Sequence, residues 1–485
     1  MPIFERKTQM PVDASTLYRW HARDGAFQRL VPPWDNIETI AATGGIQDGA
    51  KRIMKLHQGP MSLTWEANHY AHIKDEQFVD EQVRGPFKRW VHTHRFEAID
   101  NSSSRLVDHI DYELPLAGLG RLAGGSQTQK MLQRMFAFRH RRTFEDLLRH
   151  NAHQSPLTIA ITGSSGLIGT ALKAFLTTGG HRVRCLKRAQ DDLGADDIYW
   201  SPSTNELDHR LLDGIDAMIH LSGEPISQRW DEATKQRIEQ SRTQSTKLIS
   251  TAISRLDVAP SVFISASGVG YYGDTESTPV DETDPPGETF LARLCQRWEA
   301  ATAAATDAGI RTVHLRIGVV LSPQGGALPE FQRALKWGLA SRLGPGDQTI
   351  SWIDRDDLLG AILFALNNPT LQGAVNATSP HPVTNRALMD HLADLQSWPS
   401  FIPGPSALIK GVMGRQAGEE VVLTGQHALP SKLVDTGFQF YYPSIESSLQ
   451  MKLGLTDDFT LSDTSDVDAS TPHLSSHSRG RPHEQ

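Results

Sequence analysis

Leu157-Thr158-Ile159-Ala160-Ile161-Thr162-Gly163-Ser164-Ser165-Gly166-Leu167-Ile168-Gly169 is a short apolar run that passes directly into a turn with three glycines. Strand-forming residues without polar alternation read as a strand buried on both faces of a parallel sheet. Thr170 to Thr178 then reads as helix, with Leu172, Phe175 and Leu176 on one face, and Gly179-Gly180 stops it. Arg182-Val183-Arg184-Cys185-Leu186 is a second strand, and Lys187-Arg188 stands at its end. Strand, glycine turn, helix, strand is a dinucleotide-binding unit. Gly163 permits the tight turn, Gly166 lets backbone approach a pyrophosphate, and Gly169 lets helix and strand pack closely. The unpaired amides of Ser164, Ser165, Leu167 and Ile168 then face the phosphates.

The end of the second strand bears on which dinucleotide is held. An acidic residue there would take the ribose hydroxyls of NAD. This chain has Lys187 and Arg188 instead, and two cations suit the 2′-phosphate of NADP(H). The competing reading is two solvated surface charges, with Asp191-Asp192 close by.

A chain of 485 residues has room for two to four domains. Its formal net charge of -8 argues against a nucleic-acid binder. The two cysteines, Cys185 and Cys295, cannot build a disulfide framework, which fits a reducing compartment. No apolar run reaches the length of a membrane span, and Met1 to Arg6 lacks a signal-peptide pattern, so a cytoplasmic protein is expected.

Residues 1–150 differ in texture. Ile3 to Met10 reads as strand, Asp13 as the cap of a helix through Leu17 and Trp20, and alternating segments follow to Leu114. A long helix is predicted over Gln127 to Arg149. Helix, curved antiparallel sheet and long closing helix, with Arg84-Gly85-Pro86-Phe87-Lys88-Arg89-Trp90-Val91-His92-Thr93-His94-Arg95-Phe96, resembles the START-like helix-grip fold of polyketide cyclases and lipid-transfer proteins. The resemblance implies an interior that holds a hydrophobic ligand, or else a filled core. His92 and His94 alternate along a strand and are read as sheet-face residues; no residue is assigned to a metal.

After a polar linker at 151–156, strand and helix alternate to about residue 380, as in a doubly wound α/β parallel sheet. Ligands sit beyond the carboxyl ends of such strands. Gly163 to Gly169, Leu221-Ser222-Gly223-Glu224, Ser265 to Gly273 and Arg316 to Leu321 should therefore line one crevice.

The glycine turn, Ser265-Ala266-Ser267 with Tyr271-Tyr272-Gly273, and Leu315 to Leu321 resemble the extended short-chain dehydrogenase/reductases. Ser222 to Ile226, Ser241-Arg242, Trp298-Glu299 and Gly325 to Pro329 narrow this to the nucleoside-diphosphate-sugar epimerase-like family. That implies a Rossmann domain at 157–394 that binds NADP(H), with Arg242 joining the cofactor site. Gly418 to Gln426 and Pro430 to Leu433 resemble the family's small C-terminal domain of unknown function, expected at 395–451 and packed over the crevice. Residues 456–485, poor in large apolar side chains, read as a disordered tail.

In short-chain reductases a Tyr supplies the proton, a Lys four residues on tunes it, and a Ser orients the carbonyl. Here Ser267 is the nearer equivalent of the Ser, with Ser265 beside it. With Trp298-Glu299 as anchor, Leu291 and Cys295 occupy the Tyr and Lys positions. Tyr271 and Tyr272 are the substitutes on offer, as proton donors or as wall residues. Cys295 reads as core. Asp354 stands where the family implies His. Two functions follow: an oxidoreductase or epimerase on a small carbonyl or sugar-like substrate, or a cofactor-holding sensor with little turnover.

Overall fold

The computed structural model describes residues 2–455 apart from 60, 116–118, 153–154, 337, 339–341 and 399–402. The expected tail, 456–485, and part of the expected linker lie outside the described residues.

Seven antiparallel strands form the N-terminal sheet: β1 (Ile3–Met10), β2 (Asn36–Thr43), β3 (Lys51–Gln58), β4 (Met61–Ile73), β5 (Gln77–Arg84), β6 (Arg89–Ala98) and β7 (Ser104–Glu113). Their order is β1-β7-β6-β5-β4-β3-β2. Helices α1 (Ala14–Ala22) and α2 (Ala26–Leu30) lie between β1 and β2, and α3 (Leu119–Asn151) closes the grip. Asp13 caps α1 as expected, accepting from the Thr16 N–H at 3.0 Å. Two departures from the sequence reading stand out. Strand β2 was not anticipated, because its burial pattern is almost wholly exposed and shows no alternation. Helix α3 starts eight residues before Gln127, across Gly124-Gly125, which the apolar pattern does not mark.

Period-2 alternation on β6 turns Trp90, His92, His94 and Phe96 inward. Phe4, Trp90, Ile110, Tyr112, Leu132 and Phe136 fill one end of the interior. Leu17, Trp20, Phe78, Phe96 and Leu106 fill the other. Between the two ends sit charged and imidazole groups rather than apolar ones.

The second sheet is parallel throughout. Its first five strands in sequence are β8 (Thr158–Thr162), β9 (Arg182–Lys187), β10 (Ile198–Tyr199), β11 (Ala217–His220) and β12 (Val262–Gly268); Arg311–Ile317 and Gly373–Ala377 complete it. The order is β10-β9-β8-β11-β12, then the strands at 311 and 373. The chain reverses direction of growth between β8 and β11, which is the switch point where such sheets bind ligands. Helices α4 (Leu167–Thr178), α5 (Glu232–Ile253) and α6 (Phe290–Ala300) cover its faces. A second, short helix, Ala303–Asp307, follows α6. The strand at 311–317 ends before Gly318, whose added Cβ would lie 2.4 Å from the Ser351 carbonyl oxygen.

Helix Asn385–Gln396 shares a core with helix Ile445–Leu453 through Leu388, Leu392, Ile445 and Leu449. The C-terminal piece is thereby built into the side of the nucleotide-type domain.

A buried ion cluster joins the N-terminal domain to the rest. Asp356 accepts from Arg29 at 2.8 Å, from Arg142 at 2.5 Å, and from Lys452. These three cations come from α2, α3 and the C-terminal helix. Replacing Asp356 with Asn leaves them with a neutral partner, so urea unfolding curves of Asp356→Asn should show a loss of about 3–5 kcal/mol.

Candidate active site at the carboxyl ends of the parallel strands

The glycine turn holds its shape because no side chain fits there. Gly163 has φ +72°, and an added Cβ would stand 2.9 Å from the Leu221 carbonyl carbon. At Gly169 a Cβ would stand 2.1 Å from the Gly163 carbonyl oxygen. Gly166 caps α4 and offers no side chain to its first amides. The start of this 12-residue helix therefore keeps its donors open, and Ser165 and Gly166 are exposed. Open amides at the start of a helix suit an anionic group.

Across the switch point, Leu221 to Glu224 leaves β11 beside the turn. The Leu221 N–H donates to Thr162 Oγ1 at 3.2 Å, and the Glu224 N–H to Ser241 Oγ at 2.9 Å. Arg242 lies behind this loop, its Cζ 3.1 Å from where a Gly223 Cβ would stand. Burial pulls the Arg242 guanidinium down to about 10. It stacks on Trp298 at 5.0 Å and donates to the Ile238 carbonyl at 3.1 Å. A guanidinium held this way, without a carboxylate in contact among the described residues, suits an anionic ligand.

Lys187 and Arg188 differ in their surroundings. Lys187 Nζ pairs with Asp197 at 2.9 Å and donates to the Asp192 carbonyl at 2.6 Å. It braces the loop after β9. Arg188 is exposed.

Ser265 is level with Thr162 and His220 across the sheet, and Ser267 is one pleat further toward the crevice. Ser265 is buried, its hydroxyl 3.4 Å from the Ala266 carbonyl. Ser267 instead donates to Glu299 Oε1 at 2.7 Å. Glu299 is gripped bidentately by Arg316, Nε to Oε1 at 2.9 Å and NH2 to Oε2 at 3.0 Å. The remaining NH1 of Arg316 donates to Tyr272 Oη at 3.0 Å, and that hydroxyl donates to Asn376 Oδ1 at 2.8 Å. Burial works against the Arg316 charge, but the Glu299 pair more than restores it and raises the group above its ordinary value.

The two tyrosines thus separate. Tyr272 is 4% exposed and tied at both lone pair and proton. Burial pushes its hydroxyl up to about 12. Tyr271 is partly exposed, with the Arg316 guanidinium 3.3 Å above its ring.

Leu291 and Cys295 lie on α6 facing the end of β12, Leu291 Cβ 3.2 Å from where a Gly270 Cβ would stand and Cys295 Sγ 3.6 Å from the Gly268 carbonyl. Burial, with Glu299 adding to it, pushes the Cys295 thiol up to about 11. Asp354 is not in the crevice. It is fully buried, caps helix Arg355–Asn367, and pairs with Lys452 at 2.9 Å.

Sequence reasoning did not assign roles to Glu299 and Asn376. Trp298-Glu299 and the Arg in Leu315 to Leu321 were visible as family markers. Their mutual contact, across 17 residues and two elements, was not. The C-terminal piece does reach the rim: Glu420 accepts from the Leu291 N–H at 2.9 Å and the Phe290 N–H at 3.2 Å, capping α6.

With a thiol near 11, only about one Cys295 in a thousand is thiolate at pH 8. Peptide mass spectrometry after iodoacetamide at pH 8 should find Cys295 unlabelled in the folded chain and labelled after denaturation. In addition, Gly169→Ala should abolish nucleotide binding measured by calorimetry, because its methyl would push the start of α4 off the turn.

Residues 159–377 match the NAD dependent epimerase/dehydratase family, 405–451 a domain of unknown function (DUF1731), and 10–136 the polyketide cyclase / dehydrase and lipid transport family. An epimerase family protein of Mycobacterium bovis is 42% identical over 293 residues, covering 60% of this chain and 96% of that protein. The crystal structure of a nucleoside-diphosphate sugar epimerase from Corynebacterium glutamicum superposes with a TM-score of 0.78 at 30% identity, covering 96% of this chain and 93% of that one. Human epimerase family protein SDR39U1, solved with NADPH, is 30% identical with a TM-score of 0.56, covering 61% of this chain and 98% of that one. The chain belongs to the NAD-dependent epimerase/dehydratase family, in the form that carries an N-terminal polyketide-cyclase-type domain and the C-terminal domain of unknown function.

Proposed function

We propose that this chain is an NADP(H)-dependent oxidoreductase or epimerase acting on a small carbonyl or sugar-like substrate. The observation that carries the reading is the open start of α4, with Gly163 and Gly169 admitting no Cβ, set beside Ser267, Glu299 and Arg316 at the same edge of the sheet. The human relative solved with NADPH supports the choice of nucleotide.

Gly163 to Gly169 hold the pyrophosphate on backbone amides, Arg242 and Leu221 to Glu224 flank it, and Arg188 reaches the 2′-phosphate while Lys187 keeps its loop in place. When bound, the nicotinamide supplies hydride chemistry. Ser267 orients the substrate oxygen. Its hydroxyl hydrogen is committed to Glu299 in the absence of substrate, so binding requires that hydroxyl to turn. Arg316 holds Glu299 and Tyr271 in place, and the Tyr271 hydroxyl is the proton donor. Tyr272 shapes the wall. The C-terminal piece narrows the substrate end through Glu420 and Val421. A hydrophobic ligand in the N-terminal domain fits the lipid-transport family that this segment matches.

A second reading rests on Leu291 and Cys295, which leave the usual Tyr and Lys positions apolar. Under it the chain holds NADPH as a sensor. NADPH oxidation against a panel of aldehydes, ketones and nucleotide sugars separates the two. Turnover that falls at least tenfold in Ser267→Ala and Tyr271→Phe supports the enzyme, as loss of a general acid costs about 100-fold or more. Bound NADPH with no turnover on any substrate favours the sensor. Arg188→Ala should weaken NADPH by about tenfold or more, the worth of one charge-assisted hydrogen bond, and leave NADH within about twofold. Equal losses in fluorescence titrations would remove Arg188 from the 2′-phosphate.

A further inference from the structure

We propose that the N-terminal domain binds a divalent transition-metal ion between Asp80, His92 and His94, inside the grip of sheet and helix α3. Asp80 on β5 is directly opposite His92 on β6, and His94 follows on the same face. His92 Nδ1 lies 3.1 Å and His94 Nε2 3.2 Å from one oxygen, Asp80 Oδ2. Candidate ligand atoms of all three residues fall within 4.8 Å of one another. Two imidazoles and one carboxylate are the donor set of zinc-type and iron-type sites that keep a coordination position open.

The far sides of the two rings make the case. His92 Nε2 is hydrogen-bonded to Asp108 Oδ1 at 2.8 Å. Asp108 Oδ2 is 2.7 Å from His140 Nε2, and His140 Nδ1 is 2.8 Å from Thr8 Oγ1. A carboxylate against Nε2 places the proton there and leaves the Nδ1 lone pair aimed at Asp80. Metal-bound histidines are backed in this way. The site is closed to solvent, with His92 2% and Asp108 3% exposed. His94 Nδ1 lies 2.7 Å from the same Asp108 oxygen, but off the direction of a hydrogen bond, and is a buried polar atom left without one. Extra protons on the rings could fill the gap between the carboxylates, but a dipositive ion fills it from one point and uses all three donors.

The surroundings suit a ligand of mixed character. Phe78 stacks on His94 with centroids 4.1 Å apart, and Phe136 meets His92 edge-on at 5.2 Å. An ion with three protein ligands in this aromatic setting would take a carboxylate, hydroxyl or carbonyl oxygen of an otherwise apolar molecule.

The test uses the full chain without a histidine tag, loaded with Zn²⁺ or Co²⁺, dialysed, and measured for metal by mass spectrometry and for Co²⁺ visible absorption. The expected result is about one ion per chain and a Co²⁺ band, with affinity at least tenfold weaker in Asp80→Asn and His94→Ala, since changes even behind the ligands cost about 10–100-fold. Circular dichroism and NADPH binding report whether the variants fold. If either variant does not fold, stripping the wild type with EDTA decides, and it should lower the midpoint of thermal unfolding. The proposal is overturned by a wild type that retains no Zn²⁺, by folded variants that retain the wild-type amount, or by a midpoint indifferent to EDTA.

Discussion

Asp354, Asp356 and Asp357 stand together at the start of helix Arg355–Asn367, and each faces a different part of the chain. Asp354 accepts from Ser448 at 2.7 Å and pairs with Lys452. Asp356 draws in Arg29 and Arg142. Asp357 pairs with Arg149 at 2.6 Å and accepts from the Tyr441 and Tyr442 N–H groups, each at 2.9 Å. Three carboxylates at one buried helix start are favoured by its amides. They would still repel one another without cations between them. Those cations come from two other domains, so the three parts of the chain must pack together for any of them to be satisfied. Burial works to raise the Asp356 carboxyl, but the neighbouring Arg142, Lys452 and Arg29 outweigh it and hold the group well below the usual carboxylate range.

This constraint sets what can move. The parallel sheet is fixed to the N-terminal domain through α3 and the start of helix Arg355–Asn367. On the crevice side the C-terminal piece attaches through lighter contacts: the parallel pairing of Pro279-Val280 with His427-Ala428, the Glu420 cap on α6, and Gln426 Nε2 donating to the Gly273 carbonyl at 2.9 Å.

How much of this was legible in sequence depended on the range of the interaction. The glycine turn was readable because each glycine answers a local need, at Gly163 for a left-handed φ and at Gly169 for a close approach. The N-terminal sheet was readable wherever one face is buried, and β2 was missed because neither face is. Period-2 alternation correctly put His92 and His94 on a sheet face. It could not say that Asp80 and Asp108 arrive on the same face from β5 and β7, which depends on register. The same holds for Ser267, Glu299 and Arg316. Each was noticed alone, and their ion-paired chain exists only once α6 and two strands are packed. Asp354, where the family implies His, caps helix Arg355–Asn367 and pairs with Lys452, which makes it part of the frame.

The replaced Tyr and Lys are best understood through Glu299. In a site with a lysine at residue 295, that cation would sit beside the Glu299 carboxylate and compete with Arg316 for it. Cys295 removes the competitor. Arg316 is then free to take both Glu299 oxygens and still reach Tyr272 and the face of Tyr271. Ser267 keeps contact with this pair through one oxygen of Glu299. Removing either Glu299 or Arg316 alone would leave the other buried charge without its partner, at a cost of several kcal/mol.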